Sequence, residues 1–168
     1  MDEELKIRYW GDPVLHNPSE EVENIDSEIL RLVEKMIDTM HKNLGVGLAA
    51  PQVGIGKRII VVDPFMGEKP EEIISLVNPV IIEKDGESIR EEGCLSIPQI
   101  REEVKRPYRV LVKGITLEGK EREIEAEDLL ARIFCHEIDH LNGKFFIDHL
   151  SPLKRRIIKN RLKKLLQK

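Results

Sequence analysis

Two histidines four residues apart, with a glutamate directly after the first, constrain this chain more than any other feature. They lie in FCHEIDHLNG, residues 134–143. On an α-helix a four-residue step places the His136 and His140 rings on one face, where they can bind the same metal ion. Glu137 could then accept a proton from water held by that metal. The pattern indicates a metal-dependent hydrolase, although a surface helix with two unrelated histidines would read the same.

The residues around the motif predict a helix that begins near residues 126–128 and ends at Asn142, with Gly143 just past its end. Acidic residues suit the positive end of a helix dipole, and glycine is favoured beyond the last turn. Three- and four-residue steps place the following residues on one face of this helix: Leu129, Ile133, His136 and His140. The face that carries the histidines therefore continues as an apolar surface.

The N-terminal third predicts one amphipathic helix after an irregular lead-in. Gly11, Pro13 and Pro18 interrupt any helix within residues 1–24. Asp26 is a suitable N-cap for the helix that follows. Its apolar stripe consists of Ile29, Leu32, Val33, Met36, Ile37 and Met40.

Strands are predicted between this helix and the histidine helix. Residues 58–63 form an apolar run, and residues 75–82 form another that Pro79 interrupts, which predicts an edge strand or a bulge. Residues 108–117 and 121–124 read as a hairpin. The fold class is therefore α+β, with antiparallel or mixed β-sheets packed around a central metal-binding helix, an N-terminal amphipathic helix and a C-terminal basic helix.

Length and composition predict one domain over residues 1–168, because 168 residues with a 40% hydrophobic fraction can bury a core around a site. No uncharged apolar run approaches the ~20 residues of a membrane span, so a cytoplasmic protein is expected. Cys94 and Cys135 could form one disulfide. In a reducing compartment, however, a cysteine is more often buried, catalytic or a ligand.

The C-terminal segment has the opposite charge to the rest of the chain. Ser151 and Pro152 begin a predicted final helix, and residues 154–168 hold eight basic residues and no acidic one. The remaining 19 basic and 31 acidic residues give the body a net charge of −12. The helix is expected to bind an anionic surface, or else to be a solvated face over its apolar stripe of Leu153, Ile157, Ile158, Leu162, Leu165 and Leu166.

A hydrolytic metal site usually has a third protein ligand, and its source is not obvious here. No glutamate follows Glu137, and Phe146 occupies the position where a longer metalloprotease motif needs histidine. His149 is a weak candidate without a supporting spacing. Cys94, in Glu92-Gly93-Cys94-Leu95-Ser96, would complete a Cys-His-His site with one open position, but it could equally be an ordinary buried cysteine.

Three segments together resemble the signature motifs of the peptide deformylase family. They are GVGLAAPQ at residues 45–52, EGCLS at 92–96 and HEIDHLNG at 136–143, in the family's order and over essentially the whole chain. One departure is Cys135, where many members have glutamine. The resemblance implies that Cys94, His136 and His140 bind one divalent metal ion, usually Fe²⁺, with Ni²⁺, Co²⁺ or Zn²⁺ as possible occupants.

The resemblance also implies the reaction, which is removal of the formyl group from N-formylmethionine at the start of nascent polypeptides, with release of formate. Hydroxide on the metal would attack the formyl carbon, with Glu137 as general base and then acid. The Gln52 amide and the Leu95 backbone N–H would stabilise charge on the formyl oxygen.

Substrate binding is expected to use an apolar pocket and backbone hydrogen bonds. Leu129, Ile133 and Val46 would form the methionine pocket. Backbone groups of Gly45, Gly47 and the strand around Ile97 would bind the substrate main chain. Arg101 and Glu92 are candidates for substrate positioning and site support, or for a structural ion pair.

The expected partner of the basic helix is the ribosome surface, which is rich in RNA phosphate. Two alternatives remain, namely a metallopeptidase that cleaves ordinary peptide bonds and a non-enzymatic metal- or ribosome-binding module.

Overall fold

A computed structural model describes residues 4–167; Met1 to Glu3 of the expected lead-in and Lys168 of the final helix lie outside this range. The described chain contains four α-helices, seven strands and three short 3₁₀ turns. The helices are α1 Pro13–His16, α2 Ser27–Lys42, α3 Asp128–Leu141 and α4 Pro152–Leu165. The strands are β1 Gly47–Ala49, β2 Ile59–Val62, β3 Ile74–Asp85, β4 Ser88–Cys94, β5 Ile97–Arg106, β6 Arg109–Ile115 and β7 Glu121–Glu127.

The strands form two antiparallel sheets. Five strands pair in the order β1-β2-β3-β6-β7, and β4 pairs with β5 as a separate hairpin. This arrangement confirms the α+β class.

The large sheet lies between α2 and α3. Successive side chains of β2 alternate between its faces, so Ile60 and Val62 join the core against α3 while Ile59 and Val61 join the core against α2. Burial on both faces explains why residues 59–62 form an unbroken apolar run.

A third apolar cluster holds the hairpin and the C-terminal helix together. Ile97, Ile100 and Val104 of β5 pack with Phe146 and with Ile158 and Leu162 of α4. The hairpin is thus fixed beside α3 rather than within the large sheet.

Both ends of α3 agree with the prediction. Gly143 has a φ of +75°, and a Cβ there would lie 2.8 Å from the His16 backbone oxygen. A side chain at residue 143 would therefore be strained by the positive φ and would clash with the backbone of His16. The N-cap of α2 is likewise Asp26, which accepts a hydrogen bond from the Ile29 N–H at 3.0 Å.

Two expectations about elements, at Pro13 and in the final helix, were wrong in part, and at Pro79 the bulge was confirmed and the edge strand was not. Pro13 starts the short helix α1 instead of preventing it, because proline is tolerated in the first turn and Asp12 caps that turn. Pro79 lies at a register shift, as a bulge requires, but β3 is the central strand and not an edge. In the final helix, Leu153 and Ile157 are exposed, so only part of its apolar stripe packs on the body.

Cys94 and Cys135 are free thiols, so the expected alternative of a disulfide is excluded. Within residues 4–167, no helix is long and apolar enough to cross a membrane.

Candidate metal centre

Helix α3 and the end of β4 bring three metal-binding side chains together. His136 Nε2 lies 3.2 Å from His140 Nε2, and Cys94 Sγ lies 3.3 Å from His140 Nε2. A tetrahedral ion with bonds of the usual length would separate its nitrogen ligands by about 3.4 Å and a nitrogen–sulfur pair by about 3.6 Å. The three ligand atoms, which all lie within 4.8 Å of one another, can therefore bind one transition-metal ion together.

Cys94 reaches this position because the hairpin is irregular where it ends. The pairing of β4 with β5 shifts between Glu92 and Cys94, and Cys94 then pairs with Ile97 across the turn. Cys94 is thus the last residue of β4, directly before the turn to β5. The shift directs its thiol toward the histidines of α3.

The His136 ring is oriented by Glu92. The Nδ1 of His136 lies 3.0 Å from Glu92 Oε1, so Nδ1–H donates to the carboxylate and Nε2 keeps its lone pair for a metal. Burial alone would raise the pKa of Glu92, but hydrogen bonds from His136 and Arg106 hold it well below its usual range. Glu92 therefore remains a charged acceptor. Burial also lowers the pKa of His140, which favours the neutral ring that metals bind.

Glu137 is a buried carboxyl group beside this cluster. Burial raises the pKa of Glu137 to about 7. Among the described residues its Oε1 has no hydrogen-bond partner. A group with these properties can gain or lose a proton near neutrality, as a general base must.

The Gln52 side chain is fixed by contacts at both ends of its amide group. Its Oε1 accepts from the Ala49 N–H at 3.0 Å, and its Nε2 lies 3.2 Å from Ser96 Oγ and 3.5 Å from Cys94 Sγ. The amide donor is therefore held at the edge of the cluster.

An open cavity of about 420 Å³ leads to the cluster. Its wall contains most of the residues that the sequence analysis assigned to catalysis, substrate binding and metal binding: Gly45, Val46, Gly47, Gln52, Glu92, Cys94, Leu95, Arg101, Leu129, Ile133, His136 and Glu137. His140 lies behind the wall and is fully buried. Ile97 is not part of the wall, because its side chain is in the cluster under α4.

Two candidate residues have other partners. His149, the weak candidate for a third ligand, lies 2.7 Å from Asp139 Oδ2 and is absent from the possible metal-binding group of the described residues. Arg101 pairs with Glu91 at 2.6 Å on the exposed rim, which is the structural ion pair considered as its alternative.

Cys135 faces away from the cluster and is buried in the core between α3 and the large sheet. Burial raises the pKa of its thiol to about 11, so the thiol stays protonated. A protonated, buried thiol is a poor nucleophile and a poor ligand.

Four further residues line the cavity and were not assigned to the site from sequence: Leu44, Glu91, Gly93 and Arg132. Arg132 carried a detectable signal, because it is a charged residue one helical turn before His136 on an otherwise apolar segment. Gly93 lies within the EGCLS motif, whereas Leu44 and Glu91 carried no signal.

A Cys-His-His cluster with a buried carboxyl group and a fixed amide donor, at the end of an open cavity, defines the class of metal-dependent hydrolases. Comparisons with known proteins identify the family. Residues 4–156 match the family model for polypeptide deformylase. A peptide deformylase of Thermodesulfovibrio yellowstonii is 47% identical over 159 residues, which are 95% of this chain and 96% of that protein.

Solved structures agree. A peptide deformylase from Legionella pneumophila superimposes with a TM-score of 0.89 at 45% identity, covering 96% of this chain and 94% of that one. One from Synechococcus elongatus, in complex with actinonin, has a TM-score of 0.89 at 37% identity and covers 98% and 89%. The chain belongs to the polypeptide deformylase family, and it is an enzyme of that family, a hydrolase of formylated peptides.

Proposed function

We propose that this single-domain chain removes the formyl group from N-formylmethionyl nascent peptides at the Cys94–His136–His140 cluster. The observation that carries the proposal is the position of that cluster, with Glu137 beside it, at the end of the open cavity. The family uses one metal ion per chain, and we propose Fe²⁺ as the natural one, with Ni²⁺, Co²⁺ or Zn²⁺ as replacements. When bound, such an ion supplies Lewis-acid chemistry and acidifies water.

The protein groups have separate tasks in the reaction. Glu137 accepts the proton of the attacking water and passes it to the leaving amine, which its pKa of about 7 suits. The Gln52 amide and the Leu95 backbone N–H stabilise the charge that grows on the formyl oxygen. Loss of one such donor costs about 3 kcal/mol of barrier.

The methionine side chain binds against the apolar residues of α3. Ile133 is buried and Leu129 stands at the exposed rim, with Val46 opposite them in the same cavity wall. Backbone groups of Gly45 and Gly47 bind the peptide main chain, together with the start of β5 near Ile97. Arg101 positions the downstream residues from the rim.

The basic helix α4 docks on ribosomal RNA, as its charge suggests. Exposed basic residues of this helix without an ion pair among residues 4–167 are Arg156, Arg161, Lys163 and Lys164. We propose that this face acts in the cytoplasm, at ribosomes where new chains emerge.

A paired substrate assay tests the activity. Protein purified without oxygen, and with its metals measured on the same sample, should release formate from a formyl-Met peptide and leave the unformylated twin intact. Cleavage of the twin at an internal peptide bond would instead support a metallopeptidase.

The role of Glu137 has its own test. Glu137→Gln should lower turnover by about 10²- to 10⁴-fold, because it removes the base, while the metal content stays that of the wild type. Unchanged turnover in Glu137→Gln would contradict the assignment of the base. If neither the wild type nor the variant contained metal or turned over the substrate, a different function would be supported.

A further inference from the structure

Arg132 is a buried cation in the wall of the cavity, and none of the roles above uses it. It lies on α3, four residues before His136, and only 4% of its surface is exposed. Its guanidinium group points at the β4–β5 hairpin. Nη1 donates to Glu92 Oε2 at 2.5 Å and to the Val104 carbonyl at 2.8 Å, and Nη2 donates to the Ser88 carbonyl at 2.8 Å.

These contacts complete the hydrogen bonding of Glu92. Its Oε1 accepts from His136 Nδ1 at 3.0 Å and from Arg106 Nη2 at 3.0 Å. Its Oε2 accepts from Arg106 Nε at 2.9 Å and from Arg132. Each oxygen therefore has two donors, and the carboxylate cannot rotate without breaking several charge-assisted hydrogen bonds.

Arg132 also joins the two parts of the chain that carry metal ligands. Helix α3 carries both histidines, whereas the hairpin carries Cys94 at the end of β4. Arg132 starts on the helix and bonds both strands of the hairpin, through Ser88 on β4 and Val104 on β5. The distance between the thiol and the histidines depends on this relative placement.

We propose that Arg132 is a positioning residue of the metal centre: it fixes Glu92, and through Glu92 the His136 ring, and it sets the spacing between Cys94 and the histidines. The inference rests on the proposed ligand set. Lysine cannot replace it, because an ammonium group lacks the planar fork that reaches a carboxylate and two carbonyls together.

Metal binding by three variants tests this role. Arg132→Met removes the charge, Arg132→Lys keeps the charge without the fork, and Arg109→Met is the matched control. Like Arg132, Arg109 has several hydrogen-bond acceptors. These are the carboxylates of Glu83, Asp85 and Glu125, on an exposed part of the large sheet. The readouts are the metal dissociation constant, measured by chelator competition, and the visible spectrum of the Co²⁺-loaded protein.

Both Arg132 variants should bind Co²⁺ about 10- to 100-fold more weakly, the usual effect of losing a group that orients a ligand, and their Co²⁺ bands should shift. Arg109→Met should keep the wild-type constant and spectrum. Wild-type values in a folded Arg132→Lys protein would overturn the inference, and this variant keeps the test valid if Arg132→Met does not fold.

A double-mutant cycle with Glu92→Gln separates positioning from general stabilisation. If Arg132 acts through Glu92, Arg132→Met should weaken metal binding by far less in the Glu92→Gln background than in the wild type. Equal effects in the two backgrounds would overturn the inference. Failure of the ligand set is distinguishable, because Cys94→Ala would then bind Co²⁺ as tightly as the wild type.

Discussion

At the residue scale, the absence of a side chain at Gly47 determines where the catalytic carboxyl group can lie. A Cβ at Gly47 would lie 2.6 Å from Glu137 Oε2 and 2.9 Å from Ile133 Cγ2. Both contacts are closer than nonbonded atoms approach, and both partners are held in buried positions on α3. Gly47 thus leaves room for the Glu137 carboxyl group, the proposed base, and for Ile133 of the proposed methionine pocket.

Gly47→Ala should therefore lower kcat by about 10²-fold, because displacement of a catalytic group by a fraction of an ångström to 1 Å has effects of this size. Metal content should stay unchanged, because the atoms nearest to the added Cβ belong to Glu137 and Ile133 and not to a proposed metal ligand. Steady-state formate release and metal analysis would check both points.

Gly56→Ala is the matched control for this substitution. A Cβ at Gly56 would meet only Val14 Cγ2, at 3.9 Å, which is ordinary contact. Wild-type kcat in Gly47→Ala would show that Glu137 does not need this space.

At the element scale, local signals predicted α2, α3, α4 and the β6–β7 hairpin but missed α1 and the β4–β5 hairpin. Asp26 and Gly143 mark helix ends through contacts within a few residues, so sequence alone identified them. The β4–β5 hairpin is rich in charged residues, and two of them, Glu92 and Arg106, are buried because Glu92 pairs with Arg106 and with Arg132 of α3, 40 residues further along the chain. Such pairing is not visible in a local pattern, and the residues alone left Cys94 as either a third ligand or a buried cysteine until the family resemblance favoured the ligand.

The Asp63 side chain connects the segment after β2 to the end of α2 by hydrogen bonds. It follows β2, is fully buried, and accepts from the Phe65 and Gly67 N–H groups at 3.0 and 2.7 Å. Its Oδ2 also lies 2.6 Å from His41 Nε2 near the end of α2. Burial alone would raise the pKa of Asp63, but hydrogen bonds from His41, Gly67 and Phe65 hold it below its usual value.

Asp63→Asn should lower the free energy of unfolding by about 1–3 kcal/mol at pH 7, because it weakens charge-assisted hydrogen bonds to a buried group. The depressed pKa adds stability above the unfolded-state pKa of about 4, and this contribution is lost as pH falls through the lower native value. The difference between variant and wild type should therefore shrink in acid.

Urea unfolding at several pH values measures this difference. Asp38→Asn, on the exposed face of α2, is the control and should change stability by less than about 0.5 kcal/mol. A difference for Asp63→Asn that stays constant from neutral to strongly acidic pH would contradict the assignment.

At the scale of the whole molecule, the excess of basic residues lies on a different part of the protein from the cavity. The cavity opens between residues 44–47, the β4–β5 hairpin and α3, whereas the excess of basic residues lies on α4, outside the cavity wall. The charge asymmetry was readable from sequence alone, because it is a property of composition. The sequence alone did not show which apolar residues of α4 pack on the body, because that depends on where the β4–β5 hairpin lies.

Charge reversal on α4 should abolish ribosome binding without affecting the fold. Deleting the helix would remove Ile158 and Leu162 from the core, so point substitutions are the better test. Changing Arg156, Arg161, Lys163 and Lys164 to Glu should reduce co-sedimentation with ribosomes at least tenfold at low salt, while formate release from a short peptide stays unchanged.

A control with the same change in charge should keep ribosome binding. Suitable exposed positions are Lys57, Lys84, Lys120 and Arg122 on other surfaces. Equal losses in both variants would show that net charge, and not this helix, determines the association.

The central claim is that one metal ion per chain, held by Cys94, His136 and His140, performs the hydrolysis. The most direct measurement is titration of metal-free protein with Fe²⁺ without oxygen, followed by the rate of formate release. The account predicts a rate that rises from zero and stops rising at one ion per chain. A rate that is full without added metal, or that keeps rising beyond one ion per chain, would contradict it.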